Sequence, residues 1–229
     1  MKKFYLLLLC AITYIPVWAQ NYTILGSATS TGGCNCFRLT PDAEDQAGAI
    51  FQNQTINLNN SFDFSFNVFL GCNGSNGADG FVFVLTSNPN GLGNQGEGMG
   101  YAGSNQPFSL AVEFDTWQNG SAGDPGYDHI GVNYAGQYNH NLGAAVPAQP
   151  NQSVIDDCAW HTVRVVWDVN TNTFTVYFDG NIRQQLIIPN MVSGYFGGNP
   201  IVNWGWSGAT GGGTNDQQVC VLNTSNWVG

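Results

Sequence analysis

Hydrophobic and polar residues alternate along most of the chain, a pattern typical of β-strands whose two faces have different surroundings. The clearest case is Ser61–Leu70, where Phe62, Phe64 and Phe66 fall on one face. No segment keeps the helical period of about 3.6 residues for long. We predict only a short helical turn at Asn190–Phe196, because glycines follow it directly.

The segments predicted as strands on this basis are Tyr22–Leu25, Cys36–Thr40, Ala49–Asn53, Ser61–Leu70, Gly80–Thr86, Leu110–Trp117, His129–Tyr134, His161–Val169, Thr173–Asp179, Gln184–Ile188, Val202–Gly208 and Gln218–Asn223. Turns rich in Gly, Asn and Pro separate them, and Asp179–Asn181 reads as a hairpin turn. Many short strands with such turns predict an all-β fold, an antiparallel two-sheet sandwich. No internal repeat or linker interrupts the pattern, so one domain is expected.

The N-terminus has the features of a secretion signal. Lys2 and Lys3 precede the apolar run Tyr5–Ile15, and Ala19 offers a small residue at the cleavage point. The apolar run is too short and too close to the N-terminus for a convincing membrane span. We therefore predict a signal peptide at 1–19 and a mature domain at 20–229 that is secreted, extracellular or at the cell surface.

The chain is strongly acidic and has few charged residues. It carries 5 Lys and Arg against 15 Asp and Glu, a formal net charge of −10. After removal of the signal the remaining basic residues are Arg38, Arg164 and Arg183. Such a surface repels phosphate, so nucleic acid and anionic membranes are disfavoured as partners. Bound divalent cations would neutralise part of the negative charge.

The cysteines are expected to form disulfides, as is usual in exported proteins. Cys10 lies in the signal, and the mature chain keeps Cys34, Cys36, Cys72, Cys158 and Cys220. We expect the pairs Cys36–Cys220 and Cys72–Cys158. The odd cysteine is either unpaired or paired outside the chain. A zinc site is the weaker alternative, because the spacings match no zinc pattern.

The stretch from Glu113 to His129 reads E-F-D-T-W-Q-N-G-S-A-G-D-P-G-Y-D-H and holds the candidate chemistry. Glu113 and Asp115 share one face of a predicted strand, roughly 6–7 Å apart, where they repel unless a cation lies between them. The following loop can bring Asn119 and Asp124 back to the strand. Oxygen ligands of this kind suit calcium or manganese. The alternative is an acidic turn that binds nothing.

The same stretch resembles the metal-binding segment of the legume lectins, the concanavalin A-like family, whose pattern is V-E-[FL]-D-T-[FYW]-x-N-x(4)-D-P-x(2)-x-H-[IV]-G-[IV]. Every constrained position is filled here. The resemblance implies a jelly-roll sandwich, with Mn2+ or another transition-metal ion held by Glu113, Asp115, Asp124 and His129. It implies Ca2+ held by Asp115, Asp124, the Asn119 amide and the main-chain carbonyl of Trp117.

Three further segments resemble parts of the sugar site of the same family: Ala78-Asp79-Gly80, the glycine-rich segment Gly91–Gly103, and the run from Trp204 to Gly212. The resemblance implies that Asp79 follows a cis peptide bond and accepts hydrogen bonds from sugar hydroxyls. The alternative is that an Asp among glycines simply caps a turn. The residues implied for carbohydrate binding are Asp79, Glu97, Gly98, Trp117, Asn119, Ala209 and Thr210.

One departure from the family concerns the transition-metal site. A serine that holds a metal-bound water in some relatives falls near Asn139 here, which leaves the outer shell of that site undefined. The two remaining histidines show no partner pattern. We predict His140 as a surface residue and His161 as the polar start of a strand.

The leading functional hypothesis is a calcium-dependent, non-catalytic carbohydrate-binding module for glycans on cell surfaces or for extracellular polysaccharide. One alternative is a laminarinase-like glycoside hydrolase, which needs two glutamates roughly 5–5.5 Å apart. Gln118 stands where the second glutamate is required. The other alternative is an adhesion module that keeps the metal framework without binding sugar. An oligomer is compatible with either kind of module.

Overall fold

The computed structural model describes residues 22–32, 35–151 and 154–227. The predicted signal at 1–19 and Cys34 lie outside the described residues. The strands are β1 Tyr22–Gly26, β2 Thr29–Ser30, β3 Cys36–Thr40, β4 Ala47–Gln52, β5 Ile56–Asn57, β6 Ser61–Phe69, β7 Gly80–Thr86, β8 Ser109–Asp115, β9 His129–Tyr134, β10 Gly143–Pro147, β11 Trp160–Asp168, β12 Thr173–Phe178, β13 Asn181–Ile187, β14 Ile201–Ala209 and β15 Gln217–Trp227. The helix α1 is Met191–Tyr195, and single 3-10 turns lie at Gly74–Asn76 and Gly96–Gly98.

The strands form two sheets. The first has the order β1-β4-β14-β7-β8-β9-β10 with β5 paired to β14, and the second has the order β13-β12-β11-β6-β15-β3-β2. Every pairing between described strands is antiparallel. This confirms the predicted all-β, antiparallel two-sheet sandwich.

Aromatic side chains fill the space between the sheets. Along β6 the even-numbered residues are buried and the odd-numbered ones half-buried, as the alternation predicts. Phe66 stacks on Phe83 of β7 with ring centroids 5.6 Å apart. Trp204 and Trp206 of β14 belong to the same core. Burial of this apolar surface is the main driving force that holds the two sheets together.

The glycine-rich segment 91–103 covers the outer face of the first sheet. Its Met99 and Tyr101 pack against a second apolar cluster on that face, formed by Ala49, Phe51, Val82, Val84 and Ala111. The Ser207 hydroxyl donates to the Met99 carbonyl oxygen at 3.0 Å. Gly100 has φ +67°, which favours glycine, and little room for a side chain, since a Cβ there would lie 3.0 Å from the Gly208 carbonyl oxygen. This packing fixes the segment against β14.

Two disulfides staple the sandwich, with the pairing expected from the sequence. Cys36–Cys220 joins the neighbouring strands β3 and β15. Cys72–Cys158 joins the loop after β6 to the loop before β11. The second disulfide therefore ties these two loops to each other.

Several predicted strands have other ends in the structure: β8 ends at Asp115 rather than at Trp117, and β13 begins at Asn181 rather than at Gln184. Three described strands were not predicted at all. The strands β2 and β5 have two residues each and are too short to show an alternating pattern. The strand β10 is the third, because Ala144, Ala145 and Pro147 give it weak strand propensity. It lies at an edge of the first sheet, where proline is tolerated. Among described helices, none has the length and apolarity needed to cross a bilayer.

Candidate functional site

The candidate site lies where β8 ends and β9 begins. The two strands pair Asp115 with His129 and Glu113 with Gly131. Glu113, Asp115 and His129 are each at most 3 % exposed, on the face opposite the core residues Val112 and Phe114. The alternation predicted for this strand is therefore observed, and it buries two carboxylates side by side.

The loop after β8 folds back onto the strand end through hydrogen bonds to carboxylates. The Trp117 N–H donates to Asp115 Oδ1 at 2.7 Å, and the Asn119 N–H donates to Asp124 Oδ2 at 2.7 Å. As a result one donor atom each of Asp115, Asp124 and His129 lie within 4.8 Å of one another. The loop thus brings together residues that are up to fourteen positions apart in the sequence.

Several buried oxygens in this cluster have no hydrogen-bond partner among the described residues. They are Glu113 Oε1, Asp124 Oδ1 and Asn119 Oδ1. Leaving a buried polar atom unpaired costs about 1–3 kcal/mol, and more when it is charged. Cations would satisfy all three. The oxygens of Asp115, Asp124 and Asn119 suit calcium, and the side with His129 suits a transition metal. The residues present therefore fit the ions that the family pattern implies.

His140 also belongs to the cluster, so the prediction that it is a surface residue is wrong. Its Nε2 lies 2.8 Å from Glu113 Oε1 and 3.0 Å from His129 Nε2. The loop between β9 and β10 turns back at this point because the main-chain N–H of His140 donates to Asn133 Oδ1 at 2.7 Å. Glu113, His129 and His140 form a second group with metal-ligand spacing.

In the absence of metal, the electrostatics favour the neutral forms of Asp115, Asp124 and His129 in this cluster. Burial raises the pKa of Asp115 well above its usual range, and the charges of Glu113 and Asp124 raise it further. Burial also raises the pKa of Asp124 to about 6, against the effect of the Asn119 N–H. Burial lowers the pKa of His129 to about 4. A bound cation would reverse the preference of the carboxyl groups, because it stabilises their ionised form, and it would keep the His129 imidazole neutral.

These pKa values predict how the stability of the metal-free protein depends on pH. A carboxyl group whose pKa is raised on folding binds more protons in the folded state, so the free energy of unfolding falls as pH rises from about 4 to about 7. Asp79 and Asp128, each with a pKa raised by burial to about 7, act in the same direction as Asp115 and Asp124. His129 opposes them, since its lowered pKa makes the folded state bind fewer protons.

We therefore expect the melting temperature of the chelated protein to fall across this pH range. The carboxyl groups outnumber the single opposing imidazole, and a loss on the order of a few kcal/mol is expected. Differential scanning fluorimetry in chelator, compared with calcium and a transition metal, measures it. The metal-loaded protein should lose less stability. A melting temperature that rises with pH in chelator would contradict the assignment.

A cleft of about 430 Å³ lies beside the metal cluster, lined by Asn76, Ala78, Asp79, Trp117, Gly212 and Gly213. The peptide bond between Ala78 and Asp79 is cis, as the resemblance implies. The Asp79 N–H donates to the Ala209 carbonyl oxygen, and the Asp79 carbonyl oxygen accepts from the Thr116 N–H, both at 3.0 Å. Its Oδ2 atom is buried without a hydrogen-bond partner in the described part of the chain.

Glu97 connects three loops around this cleft. Its Oε1 accepts a hydrogen bond from the Tyr138 hydroxyl at 3.0 Å, and its Oε2 accepts one from the Ser121 hydroxyl at 2.8 Å. The glycine-rich segment is thereby tied to the loop of residues 116–128 and to the loop that carries His140. The neighbouring Gly98 is buried. The family resemblance implies that both residues contact the ligand, and nothing in the sequence indicates that Glu97 bridges these loops.

Ala209 and Thr210 are buried with 0 % exposure. The Thr210 hydroxyl donates to the Ala43 carbonyl oxygen at 2.7 Å and accepts from the Gln46 N–H at 2.9 Å. Neither side chain is accessible to a ligand, so the expected direct contact through these two side chains is not available. In the loop that follows β14, the residues that line the cleft are Gly212 and Gly213.

Comparison with known proteins identifies relatives. A family model described as the legume lectin beta-barrel domain matches residues 15–223. A curated protein, the pesticidal crystal protein Cry22Aa of Bacillus thuringiensis, is 28% identical over 179 residues, which cover 70% of this chain. The match spans only 24% of the length of that protein.

Solved structures of plant lectins share the fold. A lectin from Bauhinia forficata in complex with GalNAc superposes with a TM-score of 0.72 at 23% identity, covering 91% of this chain and 94% of that one. The metal-free form of lectin I-B4 from Griffonia simplicifolia gives a TM-score of 0.74 at 21% identity, covering 94% and 97%. At this level of identity the likeness establishes the fold.

Proposed function

The chain belongs to the legume lectin domain family, and on that premise we propose that it binds carbohydrate through a site assembled by metal ions. The observation that supports this most directly is Asp79, which lines the cleft and has a buried, unpartnered Oδ2. A carboxylate in this position can accept charge-assisted hydrogen bonds from neighbouring hydroxyls of one sugar. Sugar recognition requires directed hydrogen bonds of this kind.

Trp117 supplies the apolar part of the proposed site. Its side chain is 41% exposed, and it lines both the cleft with Asp79 and a neighbouring cleft of about 390 Å³ that also contains Tyr127. An exposed aromatic ring packs against the C–H face of a pyranose. A short oligosaccharide that crosses the ring would reach both clefts.

The metal ions act structurally in this proposal. Calcium would be held by Asp115, Asp124, the Asn119 amide oxygen and the Trp117 carbonyl oxygen. The remaining Asn119 amide nitrogen is then oriented to donate to sugar, while Trp117 is held at the rim of the cleft. The transition-metal ion would be held on the side of Glu113 and His129. Both ions supply positive charge that fixes the loop of residues 116–128 against β8.

We propose that the protein is not an enzyme. A glycoside hydrolase needs a carboxylate that touches the substrate, but Glu113 is 1% exposed and lies within the metal cluster. Gln118 occupies the position where the second glutamate is needed. We further propose that residues 20–229 act as one secreted lectin-like domain after a signal at 1–19. Its acidic surface favours neutral glycans over sulfated ones.

Isothermal calorimetry against a panel of neutral and anionic saccharides tests the proposed function. We expect at least one neutral sugar to bind in calcium, to lose binding after complete chelation, and to regain it when calcium is restored. Binding that survives complete chelation would contradict the metal-assembled site. Release of reducing sugar from a β-glucan would contradict the non-catalytic assignment.

Replacing Trp117 with alanine is expected to weaken sugar binding about two- to tenfold. The ring contributes roughly 0.5–1.5 kcal/mol of specific contact, and the main-chain carbonyl that would bind calcium is kept. The control is Trp160→Ala, because Trp160 is 48% exposed on β11 and contacts Phe69, outside both clefts. Equal sugar affinity in the two variants would show that Trp117 does not form the stacking surface.

A further inference from the structure

Two imidazole nitrogens and two carboxylate oxygens lie close together beside β9. Nε2 of His140 lies 2.8 Å from Glu113 Oε1 and 3.5 Å from Asp124 Oδ1. Nε2 of His129 lies 3.8 Å from Glu113 Oε1, 3.6 Å from Asp124 Oδ1 and 3.0 Å from the His140 nitrogen. A tetrahedron with metal–ligand distances of about 2.0–2.1 Å has edges of about 3.3 Å. The observed spacings lie around this value.

The buried oxygens of this group are poorly satisfied by the protein alone. Asp124 Oδ1 has no hydrogen-bond partner among the described residues, and Glu113 Oε1 pairs with the His140 imidazole at 2.8 Å. A metal ion in the position between these atoms would satisfy both oxygens. Gly131 keeps that position open, because a Cβ there would lie 2.2 Å from Glu113 Oε1 and 2.6 Å from His140 Cδ2.

The surrounding residues orient these donors as an outer shell does in metal sites. His129 Nδ1 faces the Tyr127 carbonyl oxygen at 3.3 Å, which places a proton on Nδ1 and leaves Nε2 as the free donor. Asn133 orients Glu113 and His140. Its Nδ2 donates to Glu113 Oε2 at 2.5 Å, and its Oδ1 accepts from the main-chain N–H of His140 at 2.7 Å.

We propose that His140 is a fourth protein ligand, and that Glu113, Asp124, His129 and His140 form a site that selects zinc over manganese. A second imidazole shifts the donor set away from the oxygen and water ligands that manganese prefers. Glu113, His129 and His140 already have metal-ligand spacing, and Asp124, whose Oδ1 lies 3.5–3.6 Å from both imidazole nitrogens, would complete a closed tetrahedral zinc site. Asp115, whose Oδ1 accepts the Trp117 N–H, then belongs to the calcium side.

A competing explanation gives His140 the opposite role. As an imidazolium it would pair with Glu113 and replace the metal ion by its own charge. The two explanations predict opposite effects of removing the ring. If His140 is a ligand, its loss weakens transition-metal binding; if it replaces the ion, its loss frees Glu113 and strengthens that binding.

The test uses the mature chain, stripped with chelator, dialysed against metal-free buffer and reloaded with calcium. Calorimetric titrations with zinc chloride and with manganese chloride are compared for the wild type, His140→Asn and the control Asn139→Ala. His140 has φ +55°, a conformation that asparagine adopts more readily than most residues, so the variant keeps the turn. Asn139 is the exposed neighbour in the same loop.

We expect the wild type and Asn139→Ala to bind zinc at least about 100-fold more tightly than manganese. His140→Asn should lower zinc affinity by about 100-fold and leave calcium affinity unchanged. Cobalt(II) should show the intense visible bands of tetrahedral coordination in the wild type and weaker bands in His140→Asn. A thermal melt in chelator checks that the variant is folded.

Equal zinc and manganese affinity in the wild type would overturn the inference, as would unchanged or tighter zinc binding by His140→Asn. The inference rests on the metal-binding part of the proposed function, but its readout contains no sugar. A protein that binds sugar with calcium and takes no zinc would overturn this inference alone. A protein that takes zinc through His140 and binds no sugar would overturn the proposed function alone.

Discussion

An Asp115→Asn variant is expected to lose calcium binding and sugar binding together. The Asn119 and Trp117 positions depend on the ion held by Asp115 and Asp124, so removing one of these two charges should weaken calcium binding by about 100-fold or more. The amide oxygen introduced by the substitution can still accept the Trp117 N–H that Asp115 accepts at 2.7 Å, so the loop keeps its local hydrogen bond. Calorimetry with calcium and then with sugar measures both losses.

Stability distinguishes this effect from simple damage to the fold. Because burial raises the pKa of Asp115 well above its usual range, its ionised form destabilises the metal-free protein at neutral pH. Asp115→Asn should therefore melt higher than the wild type in chelator and gain nothing from calcium. The control Asp156→Asn removes another buried aspartate whose pKa is raised by burial, outside both metal groups and both clefts. It should keep calcium-dependent sugar binding; sugar binding by Asp115→Asn would contradict the account.

An Asp79→Asn variant is expected to lose sugar binding while keeping both metals. Two hydrogen bonds to a charged acceptor contribute roughly 1.5–3 kcal/mol each, so a decrease of at least about 100-fold in sugar affinity follows. The main-chain contacts of Asp79 to Ala209 and Thr116 are unaffected by the substitution. Calorimetry with the sugar identified from the panel, at saturating calcium, measures the effect.

The matched control is Asp168→Asn, in the hairpin between β11 and β12, where the carboxylate caps Asn170 and Thr171. It changes the net charge by the same amount and should leave sugar affinity unchanged. If Asp79→Asn bound sugar as tightly as this control, the cleft beside Trp117 would not be the sugar site.

The sequence was most informative where function depends on residues that are close in the chain. The alternation placed Glu113 and Asp115 on one buried face, and the observed strand β8 has that arrangement. Local spacing was sufficient because a strand fixes the direction of each side chain. The Cys36–Cys220 pair was anticipated on different grounds, because the two cysteines are far apart in the chain but lie on its end strands, which pair in the second sheet.

His140 could not be found in this way. It reaches the cluster only because the loop after β9 turns back through left-handed residues, Ala135 with φ +57° and His140 with φ +55°, and is held by Asn133. No motif spacing indicates such a return. The pairing of Glu113 with Gly131, which has no side chain to fill the space, is the one local sign that another group enters there.

The expected ligand contacts of the loops were harder to predict than the metal cluster. Thr210 lies in a segment that resembles the family, but its hydroxyl is used by Ala43 and Gln46 inside the protein. Glu97 aligns near a position that contacts ligand in the family, yet its carboxylate bridges Ser121 and Tyr138. In both cases the partner comes from a distant loop, so tertiary packing decides the role of the side chain.

The central claim is that two metal ions tie the end of β8 to the loop of residues 116–128 and thereby form the sugar site. The most direct measurement is an anomalous difference map from crystals of the mature chain grown with calcium and zinc. The account predicts two peaks roughly 4 Å apart, one among Asp115, Asp124 and Asn119, the other among Glu113, His129 and His140. A well-ordered map in which only water surrounds Asp115 and Asp124 would contradict it.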